Sequence, residues 1–204
     1  MRRGNLLVIS APSGSGKTTL VKQLLAWLDG VVFSISYTTR ERRPAEEDGV
    51  DYHYVSDEEF REKAARGDFI EWAEVHGKLY GTDRAETERV RNRGLDVVLD
   101  VDVQGAALVK KALPDATLIF LLPPSFSILE KRLRGRRQGE NEADIARRLE
   151  DARREVTRYQ DYDYIIVNEE LGRSSDLLRA IVVAKRARRD NMEEQVKPIL
   201  DSFK

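Results

Sequence analysis

The chain has 204 residues, 41% hydrophobic and 35% charged, a balance that suits one globular α/β-sized domain and excludes a disordered protein. Its 35 Lys plus Arg against 36 Asp plus Glu leave a net charge of -1, which argues against coating nucleic acid by bulk charge. With no cysteine and two histidines, disulfides, thiolate metal sites, cysteine nucleophiles and a histidine-rich metal centre are all excluded.

Leu6-Leu7-Val8-Ile9 reads as a buried strand. Arg2-Arg3 ahead of it has the look of a signal-peptide start, but the apolar stretch is short and runs into a glycine-rich loop. The longest apolar run, 116–122, also falls far short of the roughly 20 residues of a membrane helix. A cytoplasmic protein with neither membrane nor nucleic-acid partner is expected.

The loop after this strand is Ala11-Pro12-Ser13-Gly14-Ser15-Gly16-Lys17-Thr18-Thr19. Apart from Ala11 in the first position, it fits the phosphate loop G-x-x-x-x-G-K-[ST], in which glycines let backbone N–H groups turn inward around phosphate oxygens. Lys17 supplies a point charge to the β and γ phosphates, the Thr18 hydroxyl is placed for magnesium, and the helix that follows (17–28) points its positive end at the same anion. An ordinary Gly/Ser turn would explain Ser13 to Gly16 but not Lys17-Thr18 in register behind a buried strand. The loop is read as the binding site of a nucleoside triphosphate.

A short strand at 31–33 precedes a polar, aromatic, weakly periodic stretch, 34–82, read as an inserted subdomain. Within it Arg40 and Arg43, with Tyr52 and Tyr80, offer guanidinium forks and phenolic donors suited to a monophosphate dianion. Half-buried aromatics with satisfied hydroxyls are the plainer reading of the two tyrosines. Glu71, between Ile70 and Trp72, can accept two hydrogen bonds from a purine bearing N1–H and a 2-amino group, the pattern of guanine and not adenine.

A helix at 84–93 leads to the strand 96–101. Asp100, after Val97-Val98-Leu99, is placed as the magnesium-linked acid of phosphate-loop folds. Asp102 lies on the same side if the strand persists, and an acid there is otherwise a helix cap. Helices at 105–112, 125–133, 142–158 and 174–189 alternate with strands at 117–122 and 164–167, which implies a parallel sheet flanked by helices with right-handed crossovers. The Arg-, Gly- and acid-rich stretch around 134–145 is read as a mobile lid. The core is then 1–33, 83–133 and 146–204. Arg132 and Arg136 repel mildly at i,i+4 unless an anion or an acid such as Glu130 lies between them.

The ordered set S-x-T-T-R (36–40), D-Y-x-x-V (51–55), F-I-E-W (69–72), Y-G-T (80–82), L-D-V-D-x-Q-G (99–105) and I-V-N (166–168), together with the phosphate loop, resembles the guanylate kinases over essentially the whole chain. The resemblance implies a phosphate-loop three-layer α/β fold with a small inserted mixed α+β monophosphate-binding subdomain, and transfer of the ATP γ-phosphoryl group to GMP, with dGMP as a further acceptor. It puts the GMP phosphate on Arg40, Arg43, Tyr52 and Tyr80, and guanine on Ser36, Glu71, Thr82 and Asp102. It assigns Arg132, Arg136 and Arg148 (or its neighbour Arg147) to the transferring group, and Asn168 to the vicinity of adenine. Magnesium with Thr18 and Asp100, and a monomer or small homo-oligomer, complete the expectation. Two other readings stay open: a catalytically inactive peptide-binding module of the same fold, against which an intact Lys17-Thr18 counts, and a kinase for a phosphorylated sugar, which would have no use for both Glu71 and Asp102.

Overall fold

The computed structural model describes residues 2–75, 77–135 and 142–204. Five strands, β1 (Leu6–Ser10), β2 (Val31–Phe33), β7 (Asp96–Asp100), β8 (Thr117–Leu122) and β9 (Tyr164–Val167), form a parallel sheet in the order β2-β7-β1-β8-β9. These are the five apolar runs; the near-continuous hydrophobicity of β1, β7 and β8 follows from burial on both faces, whereas the edge strand β2 is half-buried and the edge strand β9 buries only Ile166.

Alternation along β1 divides the core in two. Leu7 and Ile9 pack with Leu20, Val21 and Leu24 of α1 (Lys17–Trp27) and with Leu178 and Val182 of α7 (Leu171–Arg186). Leu6 and Val8 pack on the other face against Ala106 and Val109 of α4 (Val103–Ala112). At full burial each of these aliphatic side chains is worth about 1.5–3 kcal/mol. The phosphate loop leaves the C-terminal end of β1, in the middle of the sheet, where such sheets place their ligands.

A second sheet, in the order β4-β3-β6-β5, is built from β3 (Tyr37–Thr38), β4 (His53–Tyr54), β5 (Phe69–Val75) and β6 (Lys78–Asp83). The β5–β6 register shifts between Phe69 and Glu71, so Ile70 is the extra residue of a bulge. Ile70 is buried in the core cluster of the large sheet, and the bulge turns Glu71 towards the cleft.

The insert is mixed α+β as expected, though its helix, α2 (Asp57–Arg66), has no bounds in the sequence reading. Phe60 is its sole buried residue, so no apolar period announces it. Its ends are nonetheless well marked: the Ser56 hydroxyl accepts from the Glu59 N–H at 3.1 Å, Asp57, Glu58 and Glu59 occupy the first turn, and Gly67 closes the helix at φ 74°. Helix α3 (Arg84–Asn92) follows β6 as read from the sequence. Helix α5 (Phe126–Arg134) packs on α6 (Glu142–Val156) through Leu129, Leu133, Ile145, Leu149 and Ala152. A 3-10 turn (Thr157–Asp161) ends α6 two residues earlier than the sequence suggests. The last expected helix is α7, which begins at Leu171, three residues early, and ends at Arg186, and a further helix that was not expected, α8 (Arg189–Asp201), follows it and buries no residue. Among the described residues no helix is long and apolar enough to cross a membrane.

Candidate active site

The phosphate loop adopts the turn its glycines allow. Gly14 and Gly16 sit at φ 91° and 93°, the left-handed region that a side chain disfavours. Gly16 is doubly constrained, since a Cβ there would stand 2.5 Å from Nδ2 of Asn168. Pro12, Gly14 and Ser15 are buried, while Ala11 and Ser13 are half-buried. The Ser15 hydroxyl is buried with no hydrogen-bond partner among the described residues. Lys17 opens α1 and its ammonium pairs with Asp100 at the end of β7. Thr18 and Thr19 are exposed on the first turn of the helix. A basic head group, free N–H groups and the positive end of α1 therefore meet at one point, with Asp100 beside them.

Next to this loop opens a cleft of about 930 Å³, between the end of β7 and the second sheet. Ser36, Tyr52, Glu71, Tyr80, Asp100 and Asp102 all line it. Glu71 is 8% exposed and accepts a hydrogen bond from the Thr82 hydroxyl at 2.6 Å. Thr82 itself is buried beneath the carboxylate and does not line the cleft. Burial raises the Glu71 carboxyl to about 6; the Thr82 hydroxyl opposes the shift and the nearby Asp102 charge adds to it. Strand β7 stops at Asp100, so Asp102 is not a strand residue. It caps α4, its Oδ1 accepting from the N–H groups of Gln104 (3.0 Å) and Gly105 (2.7 Å). One carboxylate oxygen is thus spent on the helix, as the capping reading has it, while the residue still faces the cleft. Gly105 allows the approach of the two acids: a Cβ there would lie 3.3 Å from Glu71 Oε2 and 3.4 Å from Asp102 Oδ1.

Arg40 and Arg43 lie beside the cleft and not on its lining. Arg40 Nη2 reaches both oxygens of Glu46, at 2.8 and 3.0 Å, and its guanidinium stands 5.4 Å from the Tyr52 ring centroid and 5.8 Å from that of Tyr54. The Tyr54 hydroxyl and the backbone N–H of Arg43 also donate to Glu46, at 2.8 and 2.9 Å. The Arg40 guanidinium, first of all, and then the Arg43 N–H hold the Glu46 carboxyl down at about 2. The Arg43 side chain is exposed. Glu46 and Tyr54 were missed in the sequence. Their signal was the same mixture of charge and aromatics as their neighbours, with nothing to mark them out.

On the lid side, Arg132 Nη2 donates to the backbone carbonyl of Asn168 at 3.0 Å, and its Nη1 is buried without a partner among the described residues. Glu130 pairs with Arg134 at 3.0 Å and so is not the acid that would tie down Arg132. Arg148 is half-buried on α6, whereas Arg147 is exposed and pairs with Asp144 at 3.4 Å. Arg136 lies outside the described residues. The side chain of Asn168 is turned to the phosphate loop, donating from Nδ2 to the Ser15 carbonyl at 2.7 Å. Helix α6 adds Asp151, Arg154 and Glu155 to the cleft wall, and the 3-10 turn after it adds Arg158. Burial, then the Asp102 charge, raises the Glu155 carboxyl to about 7, with Lys17 pulling the other way.

Comparison with known proteins points to one family. The guanylate kinase family model matches residues 3–185. The guanylate kinase of Syntrophotalea carbinolica is 48% identical over 200 residues, covering 98% of this chain and 95% of that protein. That of Thermotoga maritima is 46% identical over 194 residues, with 95% and 93% covered. Among solved structures, the guanylate kinase of Anaplasma phagocytophilum superposes with a TM-score of 0.75 at 33% identity, covering 93% of this chain and 90% of that one.

Proposed function

The chain belongs to the guanylate kinase family, is accordingly an ATP:GMP phosphotransferase, and we propose that the cleft beside the phosphate loop is where GMP accepts the γ-phosphoryl group. The observation that carries this reading is the buried Glu71 carboxylate, backed by a single hydroxyl and open to the cleft on its other side. A guanine N1–H and 2-amino group would supply the donors it lacks, with Asp102 and Ser36 at the base's edge and Thr82 holding Glu71 in place.

ATP would lie with its phosphates in 11–19, the loop N–H groups and Lys17 taking the β and γ oxygens. The GMP phosphate would meet Arg40, Arg43, Tyr52 and Tyr80, displacing the Glu46 carboxylate from Arg40. The acceptor oxygen is already anionic, so no strong base is required. The protein's task is to hold two polyanions in line and to neutralise charge on the transferring group. Lys17, Arg132 and Arg148 serve that task here, with Arg136 proposed from the sequence. Oxygen donors at the head of α1 and the end of β7 suit a hard divalent cation, so Thr18 and Asp100, directly or through water, would hold magnesium. Bound there, it would offset charge on the β and γ phosphates. Residues 34–82 as the GMP-binding unit, 134–145 as a closing lid, activity on dGMP, a cytoplasmic location and a monomeric or small homo-oligomeric state belong to the same proposal.

The test is ADP release from Mg-ATP with GMP, dGMP, AMP, CMP and UMP in turn. Turnover with the guanine nucleotides alone is expected. Lys17→Ala should abolish it while leaving GMP binding, followed by calorimetry, largely intact. Equal turnover with AMP would overturn the role given to Glu71, and ATP binding without any acceptor would favour the sugar-kinase or peptide-module readings.

A further inference from the structure

Asn168 sits at the junction of three elements that converge on the transferring phosphate. It follows the last residue of β9, its own N–H donating to the Leu122 carbonyl at 2.8 Å, so the main sheet fixes its backbone. From that position it makes two further contacts. Its side-chain Nδ2 donates to the Ser15 carbonyl inside the phosphate loop at 2.7 Å, and its main-chain carbonyl accepts from Arg132 Nη2 at 3.0 Å. The residue is 5% exposed and Ser15 is 1% exposed, so both loop and amide are withdrawn from water, where a hydrogen bond is costly to lose. A carbonyl acceptor admits only the amide's NH₂ end, which settles how the side chain is turned.

The packing around this junction is tight on both sides. The space for a Cβ on Gly16 is taken by Asn168 Nδ2, at 2.5 Å, and that for a Cβ on Gly14 by Leu133 and Leu129 of α5, at 3.0 and 3.1 Å. The loop is therefore clamped between Asn168 and the helix that carries Arg132. Arg132 is anchored by one nitrogen to Asn168, and its other terminal nitrogen, Nη1, is a buried donor with no partner among the described residues. A buried guanidinium N–H without an acceptor is a site prepared for an anion.

We infer that Asn168 is a positioning residue for phosphoryl transfer: it locks the phosphate loop and the Arg132 guanidinium into one frame, so that the N–H groups cradling ATP and the cation meeting the transferring group keep a fixed separation. This rests on the phosphoryl-transfer reading of the cleft. The role is separate from contact with the adenine ring: it uses one amide N–H, held by Ser15, and the backbone carbonyl, held by Arg132, and asks nothing of the amide oxygen. In-line transfer tolerates little misplacement, a shift of 1 Å costing about 100-fold.

The experiment compares wild type with Asn168→Ala, Asn168→Ser and Asn168→Asp, kcat being read well below the melting temperature of each variant, measured with and without ATP. The wild type first has to release ADP with GMP; if it does not, the phosphoryl-transfer reading fails and the variants are not needed. Given wild-type turnover, Asn168→Ala should lower kcat about 10- to 100-fold, leave KM for GMP unchanged, and keep the preference for ATP over GTP as donor. Asn168→Ser, whose hydroxyl can still donate to Ser15, should recover part of kcat. Asn168→Asp should be least active at high pH and regain kcat as pH falls, when a protonated acid can donate to the carbonyl. In a double-mutant cycle with Arg132→Ala the two losses should be far from additive. Wild-type kcat in Asn168→Ala, or a collapse of donor selectivity with kcat retained, would overturn the inference, the latter in favour of an adenine contact.

Discussion

Two of the buried carboxylates of this molecule, Asp96 and Glu71, are treated in opposite ways. Asp96, at the start of β7, is fully buried, and its oxygens accept from Arg2 Nη1 (3.0 Å), the Asn5 N–H (2.8 Å), Asn5 Nδ2 (2.9 Å) and Arg186 Nε (2.6 Å). Glu71, in the cleft beyond the other end of the strand, has the Thr82 hydroxyl alone among the described residues. Burial opposes the charge on both. At Asp96 it is overcome by Arg2, the Asn5 N–H and Arg186, which leave the carboxyl below its ordinary value, whereas at Glu71 burial prevails and the carboxyl rises to about 6. A buried anion with donors on both oxygens is a fastening of the fold. One left half-answered beside an open cleft is a receptor, its missing donors to be brought by the ligand.

Removing the fastening should have the largest effect on stability. Asp96→Asn leaves Arg2 and Arg186 without their anion and should cost about 3 kcal/mol in urea unfolding. The kcat of the folded fraction should stay at the wild-type value. Acid should act the same way, since a carboxyl depressed in the folded state gives stability that is lost as pH falls through its folded value. A fall in kcat without a fall in stability would erase the distinction drawn here.

Removing the receptor should do the reverse. Glu71→Gln is expected to lower kcat/KM for GMP about 100-fold, since one acceptor becomes a donor facing the base. The free protein should become more stable at pH 7. A carboxyl raised from 4.5 to about 6 in the folded state costs stability progressively as pH rises through that window, in total about 2 kcal/mol, and the amide does not pay it. Urea midpoints at pH 7 and pH 4 check the sign, the gain vanishing at the lower pH. A less stable variant would place Glu71 with Asp96 among the fastenings.

The pH dependence of GMP binding sharpens the contrast further. The ionised Glu71 is the binding form, so KM for GMP should rise about tenfold between pH 7 and pH 5. The nucleotide's own phosphate takes up a proton in the same range, so the quantity to compare is the wild-type profile minus that of Glu71→Gln. Identical profiles would remove Glu71 from base recognition. The smallest effect belongs to Thr82→Val. Losing the single donor should push the carboxyl further up, moving the midpoint of GMP binding to higher pH, with a stability change of about 1 kcal/mol.

Much of this was legible in the sequence, and the parts share a property. The phosphate loop, the five core strands and the ordering of Arg40, Glu71, Asp100 and Asp102 are all local: a spacing of glycines, an apolar run, a short motif. The bounds of the second sheet's helix α2 escaped notice because a helix with one buried residue carries no period, though Ser56 and Gly67 marked its ends. Glu46 escaped because the guanidinium it holds is six residues away across a loop, a pairing no period encodes. Asn168 was legible as a position but not as a role, since its partners, Ser15 and Arg132, are 153 and 36 residues distant.

By itself, then, the sequence determined the class of fold, the triphosphate loop and the chemical kinds of side chain available for a second nucleotide, because backbone propensity and short-range spacing are written in consecutive residues. The tertiary structure alone decided which of those side chains are spent on one another and which are left for a ligand. The bulge at Ile70 aims Glu71, the absent Cβ of Gly105 lets it approach Asp102, and the capping of α4 consumes half of Asp102. Desolvation and hydrogen-bond satisfaction depend on what the fold brings within 3 Å, and that distance has no counterpart along the chain.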